Sequence, residues 1–429
     1  MPTQVTKASG RKSAENEPSQ PSVGTVALSI GVAIGPALAA VVCLRQMTGW
    51  AAGGSIRIES ASAAVVAVAA LFSIICALFL VRSVWIWFSA ITVGLLVALP
   101  TLAGIVHGYD ETTAVPAAMG VAAAAGVLAG YSLRPLPTRT SIVVLLGVMV
   151  WLSMGFGFAD LQGADVRGLY DRNQREWLGV LQLAGIAGHP NSMGLTAGMT
   201  VLLQLLWLLS STVRSGARVL LWLVGPIASL TALLWAQSRT AWIATGVAAG
   251  ILVLTWIFKR WTWVPGVVLS LVGVAVVVLP WRDFGLHGRW YAWQVVQESL
   301  ADNWLLGRGP YLLSPEFWDS WTATAGEAAL WEPAHAHNQF LASLGLLGVV
   351  GAAVCLLTFF VMIRVAGKAR LADFGWTIAA VALFLLYSGP EVVFGVADVS
   401  ATYLPALVLA AVLGVGWQVR ARIRVPAPK

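Results

Sequence analysis

Twelve separate runs of apolar residues divide this sequence, at about 23–44, 61–81, 84–106, 114–133, 140–160, 189–213, 217–236, 239–258, 264–281, 338–363, 374–390 and 400–418. A bilayer core about 30 Å thick takes roughly 20 residues of α-helix. With no water in that core, each span has to satisfy its own backbone hydrogen bonds. The composition agrees with such a chain. Of its 429 residues 58% are hydrophobic and 10% charged, and the mean hydropathy is +0.81. A soluble domain carries about 25% charged residues. A soluble enzyme, a disordered chain and a nucleic-acid-binding domain are therefore excluded, despite a formal charge of +7 that alone would hint at polyanion binding. The expected fold is all-α: a polytopic membrane bundle of about 12 transmembrane helices, with one long extracytoplasmic loop containing amphipathic helices.

Cys43, Cys76 and Cys355 all lie inside apolar runs, which reads as small buried hydrophobes and not as a disulfide framework or a thiolate metal site. Residues 1–22 are polar and rich in Ser, Pro and basic side chains, and read as a disordered cytoplasmic tail. The run that follows is too long for a signal-peptide core, so it is expected to be an uncleaved first span.

Basic residues set the orientation. With the N-terminus in the cytoplasm, the inner segments hold 17 basic residues (among them Arg82, Arg139, Lys259 and Arg364) against three acids. The outer segments hold nine basic residues and 16 acids. The +7 is thus a sum of +14 inside and −7 outside, and it reports topology. Both termini are expected in the cytoplasm. The division that follows is a tail at 1–22, an N-terminal bundle of about five spans at 23–160, and a central region at 161–281. After these come an extracytoplasmic loop at 282–337, C-terminal helices at 338–418 and a second cytoplasmic tail at 419–429.

The remaining polar chemistry falls on the outer side. Gln237-Ser238-Arg239-Thr240 joins two spans with almost no loop, which sets Arg239 at the start of a membrane helix. A snorkelling arginine is one reading. A helix N-terminus with Ser238 and a guanidinium is also a good anion site, for phosphate above all. His287-Gly288-Arg289-Trp290 puts Arg289 in the first turn of the stretch Arg289–Leu306, where Trp290, Trp293, Val296 and Leu300 recur at helical spacing. This predicts an amphipathic helix lying along the interface or capping the bundle. A cation in its first turn opposes the helix dipole unless it shares an anion. Arg308 sits in the tight turn Gly307-Arg308-Gly309-Pro310.

Glu332-Pro333-Ala334-His335-Ala336-His337-Asn338 leads into the tenth run. His335 and His337 would share a face of an extended segment, but with no third ligand a metal pair is not expected. His337 at an aqueous pocket suits proton transfer near neutral pH; the competing reading is a capping His337–Asn338 pair. The connection at 161–188 carries Arg172 and Arg175 within a mixed-sign run, which reads as a solvated loop. Two outward arginines and an imidazole point to group transfer from a membrane-anchored phosphate or diphosphate donor to an acceptor hydroxyl. The arginines would neutralise the leaving diphosphate and the imidazole would deprotonate the hydroxyl. No acidic motif points to a divalent metal, so neither metal nor cofactor is expected.

GHPNSMGLTAGM at 188–199, WAQSRTAWIATG at 235–246, GRWYAW at 288–293 with LLGRGPY at 305–311, and HAHNQFLASLGLLGVVG at 335–351 resemble, in order, the O-antigen ligase / O-antigen polymerase superfamily of integral-membrane glycan transferases. The likeness covers about the last 240 residues. It implies a polyprenyl-diphosphate-linked glycan donor, a glycan, lipid or protein acceptor, and metal-independent transfer on the outer face of a bacterial inner membrane. It also implies that Arg239 and Arg289 bind the diphosphate and that His337 activates the acceptor. Ser238, Arg308, Asn338, His335, Arg172 and Arg175 are the further substrate-binding candidates. Within the superfamily, surface-polysaccharide polymerases and protein O-oligosaccharyltransferases share these motifs with ligases. A transporter or lipid flippase is the rival class, but transport needs polar groups along a path between leaflets. Here the acids are almost absent from the spans, and Glu391 and Asp398 sit at outer ends.

Overall fold

The computed structural model describes residues 23–54, 58–109, 114–133, 135–170, 180–210, 216–258, 263–281, 289–314, 316–320, 336–369, 375–393 and 400–423. A helix occupies each of the twelve apolar runs. They are α1 (Val23–Ala51), α2 (Ser60–Leu80), α3 (Val84–His107), α4 (Val115–Ser132), α5 (Pro135–Leu161) and α6 (Pro190–Ser210). After these come α7 (Gly216–Trp235), α8 (Arg239–Ile257) and α9 (Val264–Val278), the short α10 (Arg289–Leu300), and then α11 (Gln339–Ala369), α12 (Trp376–Ser388) and α13 (Ser400–Ile423). Among the described residues nine helices are long and apolar enough to cross a membrane. Shorter apolar helices span Leu223–Trp235, Trp376–Ser388 and Tyr403–Gln418. The chain is an all-α, multi-pass membrane protein.

Small residues let these helices approach. Gly194 and Gly198 lie one turn apart on α6, and a Cβ at Gly194 would meet Ala241 and Ser238 of the α8 N-terminus. This is the small-xxx-small contact expected where no hydrophobic force drives helices together. It draws the N-termini of α6 and α8 side by side. Near the start of α5 and the end of α11, arginines lie over indole rings at the starts of α12 and α3. The Arg139 guanidinium is 5.4 Å from the Trp376 ring and that of Arg364 is 4.3 Å from Trp85, so each keeps a cation–π partner at the edge of the apolar core.

Three features differ from the sequence reading. The tenth run is not one continuous helix: α11 breaks at Leu347 (φ −139°, ψ 28°) and Gly348 (φ 56°, ψ −143°). The outer loop packs into that break. A Cβ at Gly348 would collide with the Leu305 carbonyl, and the Arg308 N–H donates to the Gly345 carbonyl at 2.6 Å. The buried face of α10 is Ala292, Trp293, Val296 and Leu300, while Trp290 is 42% exposed. That face joins Leu312, Phe317, Trp318, Leu341 and Val392 in a separate small core, so α10 caps the C-terminal helices. The connection at 161–188 holds a two-stranded antiparallel pair, β1 (Leu169–Tyr170) and β2 (Gln182–Leu183). It is anchored by the Asp160 carboxylate, which accepts from the Gly168 and Leu169 N–H groups at 2.8 Å each.

An apolar cleft of about 890 Å³ lies between α1, α4, α5 and α13, lined by residues such as Ile30, Ala33, Ile142 and Leu407. The polar cluster is elsewhere. It forms where α6, α8, α10 and α11 begin and α12 ends.

Candidate active site

Glu391 is the centre of the cluster. It follows α12 in the segment Gly389-Pro390-Glu391 and is 5% exposed. Its Oε1 accepts from Arg289 Nη2 and from Asn191 Nδ2, both at 2.6 Å. Its Oε2 lies 3.2 Å from Nδ1 of His337. Three side chains from three separate elements therefore meet one carboxylate. Because Arg289 and Asn191 both donate to it, the carboxylate is the acceptor toward His337 as well. That places the His337 proton on Nδ1 and its lone pair on Nε2.

Local sequence explains how His337 is held. It has φ +44°; it and Gln237 (φ +51°) are the positive-φ non-glycine residues among those described. Both stand just before the start of a cluster helix. Such backbone costs of order 1–3 kcal/mol and persists only where its surroundings enforce it. Asn338 supplies the enforcement. Its Oδ1 caps α11 by accepting from the Leu341 N–H at 2.9 Å, and its Nδ2 donates to the Val276 and Gly389 carbonyls at 2.9 Å each. The next side chain, Gln339, accepts from the Val393 N–H at 2.8 Å. Asn338 and Gln339 thus grip the backbone on either side of Glu391 while His337 meets its carboxylate. From the other side the buried Trp293 indole donates to the His337 carbonyl at 3.1 Å.

Ser238 caps α8, accepting from the Ala241 N–H at 3.3 Å, and its hydroxyl donates to Asn191 Oδ1 at 2.8 Å. Asn191 is fixed at its backbone too. Its N–H donates to His189 Nδ1 at 3.1 Å, and its carbonyl accepts from the Tyr387 hydroxyl. His189 keeps surface open to solvent and stands edge-on to Tyr170, with centroids 5.1 Å apart. Burial lowers the His189 imidazole from its ordinary value; Glu391 opposes the shift, and His337 and Arg289 add to it.

Of the sequence candidates, the structure brings together Arg289, His337 and Ser238. Arg239 is the exposed first residue of α8, directly after Ser238. Asn338 is fully buried and engaged with backbone, a positioning arrangement and not an open contact. Arg308 is exposed, and its Nε donates to the Ser299 carbonyl at 2.6 Å. His335, Arg172 and Arg175 lie outside the described residues. Glu391 and Asn191 were not among the candidates. The one available signal for Glu391 was an acid in the otherwise apolar stretch Ser388–Val393. Among the described residues no group of three or more His, Cys, Asp or Glu side chains is placed to hold a metal.

Residues 224–356 match the family described as O-antigen ligase. This segment is similar to that family. The match runs from within α7 to the middle of α11 and takes in Ser238, Arg239, Arg289, Arg308 and His337. It covers less than a third of the 429 residues, and Asn191, Tyr387 and Glu391 lie outside it. The match supports the O-antigen ligase/polymerase superfamily, whose members are glycan-transferring membrane enzymes. No curated protein matches the chain.

Proposed function

We propose that this protein transfers an oligo- or polysaccharide from a polyprenyl-diphosphate carrier to an acceptor hydroxyl. The reaction takes place on the extracytoplasmic face of a bacterial inner membrane. The observation that carries the reading is the Arg289–Glu391–His337 arrangement at the junction of four helix N-termini. Such termini present free N–H groups and positive dipole ends, a favourable setting for a diphosphate. Arg289 spends Nη2 on Glu391, and its side chain keeps 16% of its surface exposed, so the guanidinium charge is placed to act on a phosphate as well. Arg239, exposed at the start of α8, supplies a second charge.

His337 Nε2 takes the proton of the acceptor hydroxyl as its oxygen bonds to the anomeric carbon. The bond from that carbon to the diphosphate breaks, and the electron pair leaves with the polyprenyl diphosphate. Glu391 stabilises the imidazolium, which afterwards loses its proton to water. Arg239 and Arg289 balance the charge gathering on the leaving group. The acceptor hydroxyl belongs to a glycan, a lipid or a protein.

The test is a reconstituted assay with a polyprenyl-diphosphate-linked oligosaccharide, scoring glycosidic product and released polyprenyl diphosphate together. Arg239→Ala and Arg289→Ala should each raise the donor KM or lower turnover by roughly 10- to 100-fold, the scale of a lost charge-assisted hydrogen bond. If both variants transfer at the native rate, the proposed diphosphate site is wrong.

A further inference from the structure

We propose that Asn191 is a positioning residue for the proposed base: its side-chain amide holds Glu391 Oε1 beside Arg289 and so leaves Oε2 for His337. The proposal rests on the functional reading above and assigns a role to a residue outside the matched family segment.

The direction of the amide follows from its partners. Ser238 Oγ already accepts from the Ala241 N–H, so its hydroxyl proton is available to donate. It goes to Asn191 Oδ1, 2.8 Å away. The amide oxygen is thereby committed to Ser238 and the NH₂ group to Glu391, 2.6 Å away. A flipped amide would set a carbonyl against the carboxylate and waste the hydroxyl donor. The backbone cannot follow a flip, since the Asn191 N–H is held by His189 and its carbonyl by Tyr387. Behind it, the contact of Gly194 with Ser238 and Ala241 sets the spacing of the two helices. A carboxylate gripped by Arg289 alone could rotate and offer either oxygen to either partner. With Asn191 in place the two oxygens are distinct, and Oε2 stays against the His337 Nδ1–H.

The discriminating substitution is Asn191→Asp, which keeps shape and changes the donor. In its protonated form the introduced carboxyl can still donate to Glu391. Once ionised, it sets two carboxylates at hydrogen-bond distance, where both cannot readily carry charge. The titratable groups around this position are Glu391, Arg289, His189, His337 and Tyr387. The readout is therefore the ratio of variant to native kcat across pH. The expected result is a ratio near the native value in acid that falls by about 10-fold or more toward alkaline pH, with donor KM within about 3-fold. Asn191→Ala should lose about 10- to 100-fold in kcat at every pH. It should also shift the His337 Nδ1 signal in ¹⁵N-histidine spectra, because the carboxylate oxygen facing the ring is no longer held in place, with His337→Gln used to assign the signal. A pH-independent ratio for Asn191→Asp overturns the proposal, as does an unchanged His337 signal in Asn191→Ala. If Asn191→Ala fails to fold, Asn191→Asp decides alone. A native rate in His337→Ala would instead remove the functional reading itself.

Discussion

Glu391 Oε2 stands 3.2 Å from His337 Nδ1, across 54 residues of sequence, on the same carboxylate that Arg289 holds at 2.6 Å. One acid therefore orients the imidazole proposed as the base and is itself restrained by a cation. Glu391→Gln retains the size of the side chain and removes the charge that stabilises an imidazolium. Turnover should fall by roughly 10²–10³-fold with little change in donor affinity, measured as separate kcat and KM. Glu391→Ala goes further, because it strands Arg289, whose side chain is 16% exposed. Breaking one partner out of such a pair costs on the order of 3 kcal/mol, visible as a lower Tm in detergent.

Asn338 should prove structural. Its amide makes one capping bond and two bonds to backbone carbonyls in a fully buried setting. Asn338→Ala removes a cap worth about 1 kcal/mol and leaves two carbonyls short of a donor. A clear fall in Tm, with lost turnover that follows the folded fraction, is the expected outcome of thermal denaturation and assay run together. A variant with native Tm and a selectively raised donor KM would return Asn338 to the substrate-binding set.

Gly348 has φ +56° where the backbone of Leu305 closes on α11. Gly348→Ala adds both an unfavourable dihedral and a collision, at a cost of about 1–3 kcal/mol or more. The loop carrying Leu305–Arg308 should then detach first, which limited proteolysis in detergent would detect as earlier cleavage there than in the native protein.

The sequence displayed its spans and its cations, since bilayer thickness and charge asymmetry are written locally. All twelve apolar runs contain a helix, and Arg289 and His337 meet as neighbours of one carboxylate. Glu391 is hidden because its partners are 54, 102 and 200 residues away, and a single acid beside Pro390 has no local pattern. Trp290 fits the helical spacing as well as Trp293 does, yet only the tertiary packing decides that Trp293 faces inward. The break in α11 is illegible for a similar reason: Gly348 within an apolar run reads as ordinary helix until Leu305 is placed against it. Asn338 was legible as a cap or a ligand contact, and only its three backbone bonds separate the two.

Acid should weaken the protein partly through His189. Burial lowers the folded-state value of this imidazole below its ordinary one, so the folded state binds fewer protons than the unfolded state. Stability then rises with pH and is lost as pH falls through the unfolded value of about 6.5. The Tm of the native protein should drop between about pH 7 and pH 5. In His189→Gln that drop should be smaller, because the titrating group is gone. Equal pH dependence in the two proteins would show that His189 does not contribute.

Donor binding and turnover measured separately on His337→Ala bear most directly on the proposed chemistry. His337 is assigned to the proton of the acceptor and not to the diphosphate. The variant should therefore bind the polyprenyl-diphosphate glycan within about 3-fold of the native affinity while glycan transfer falls by about 10²-fold or more. Transfer at the native rate by His337→Ala would contradict the mechanism.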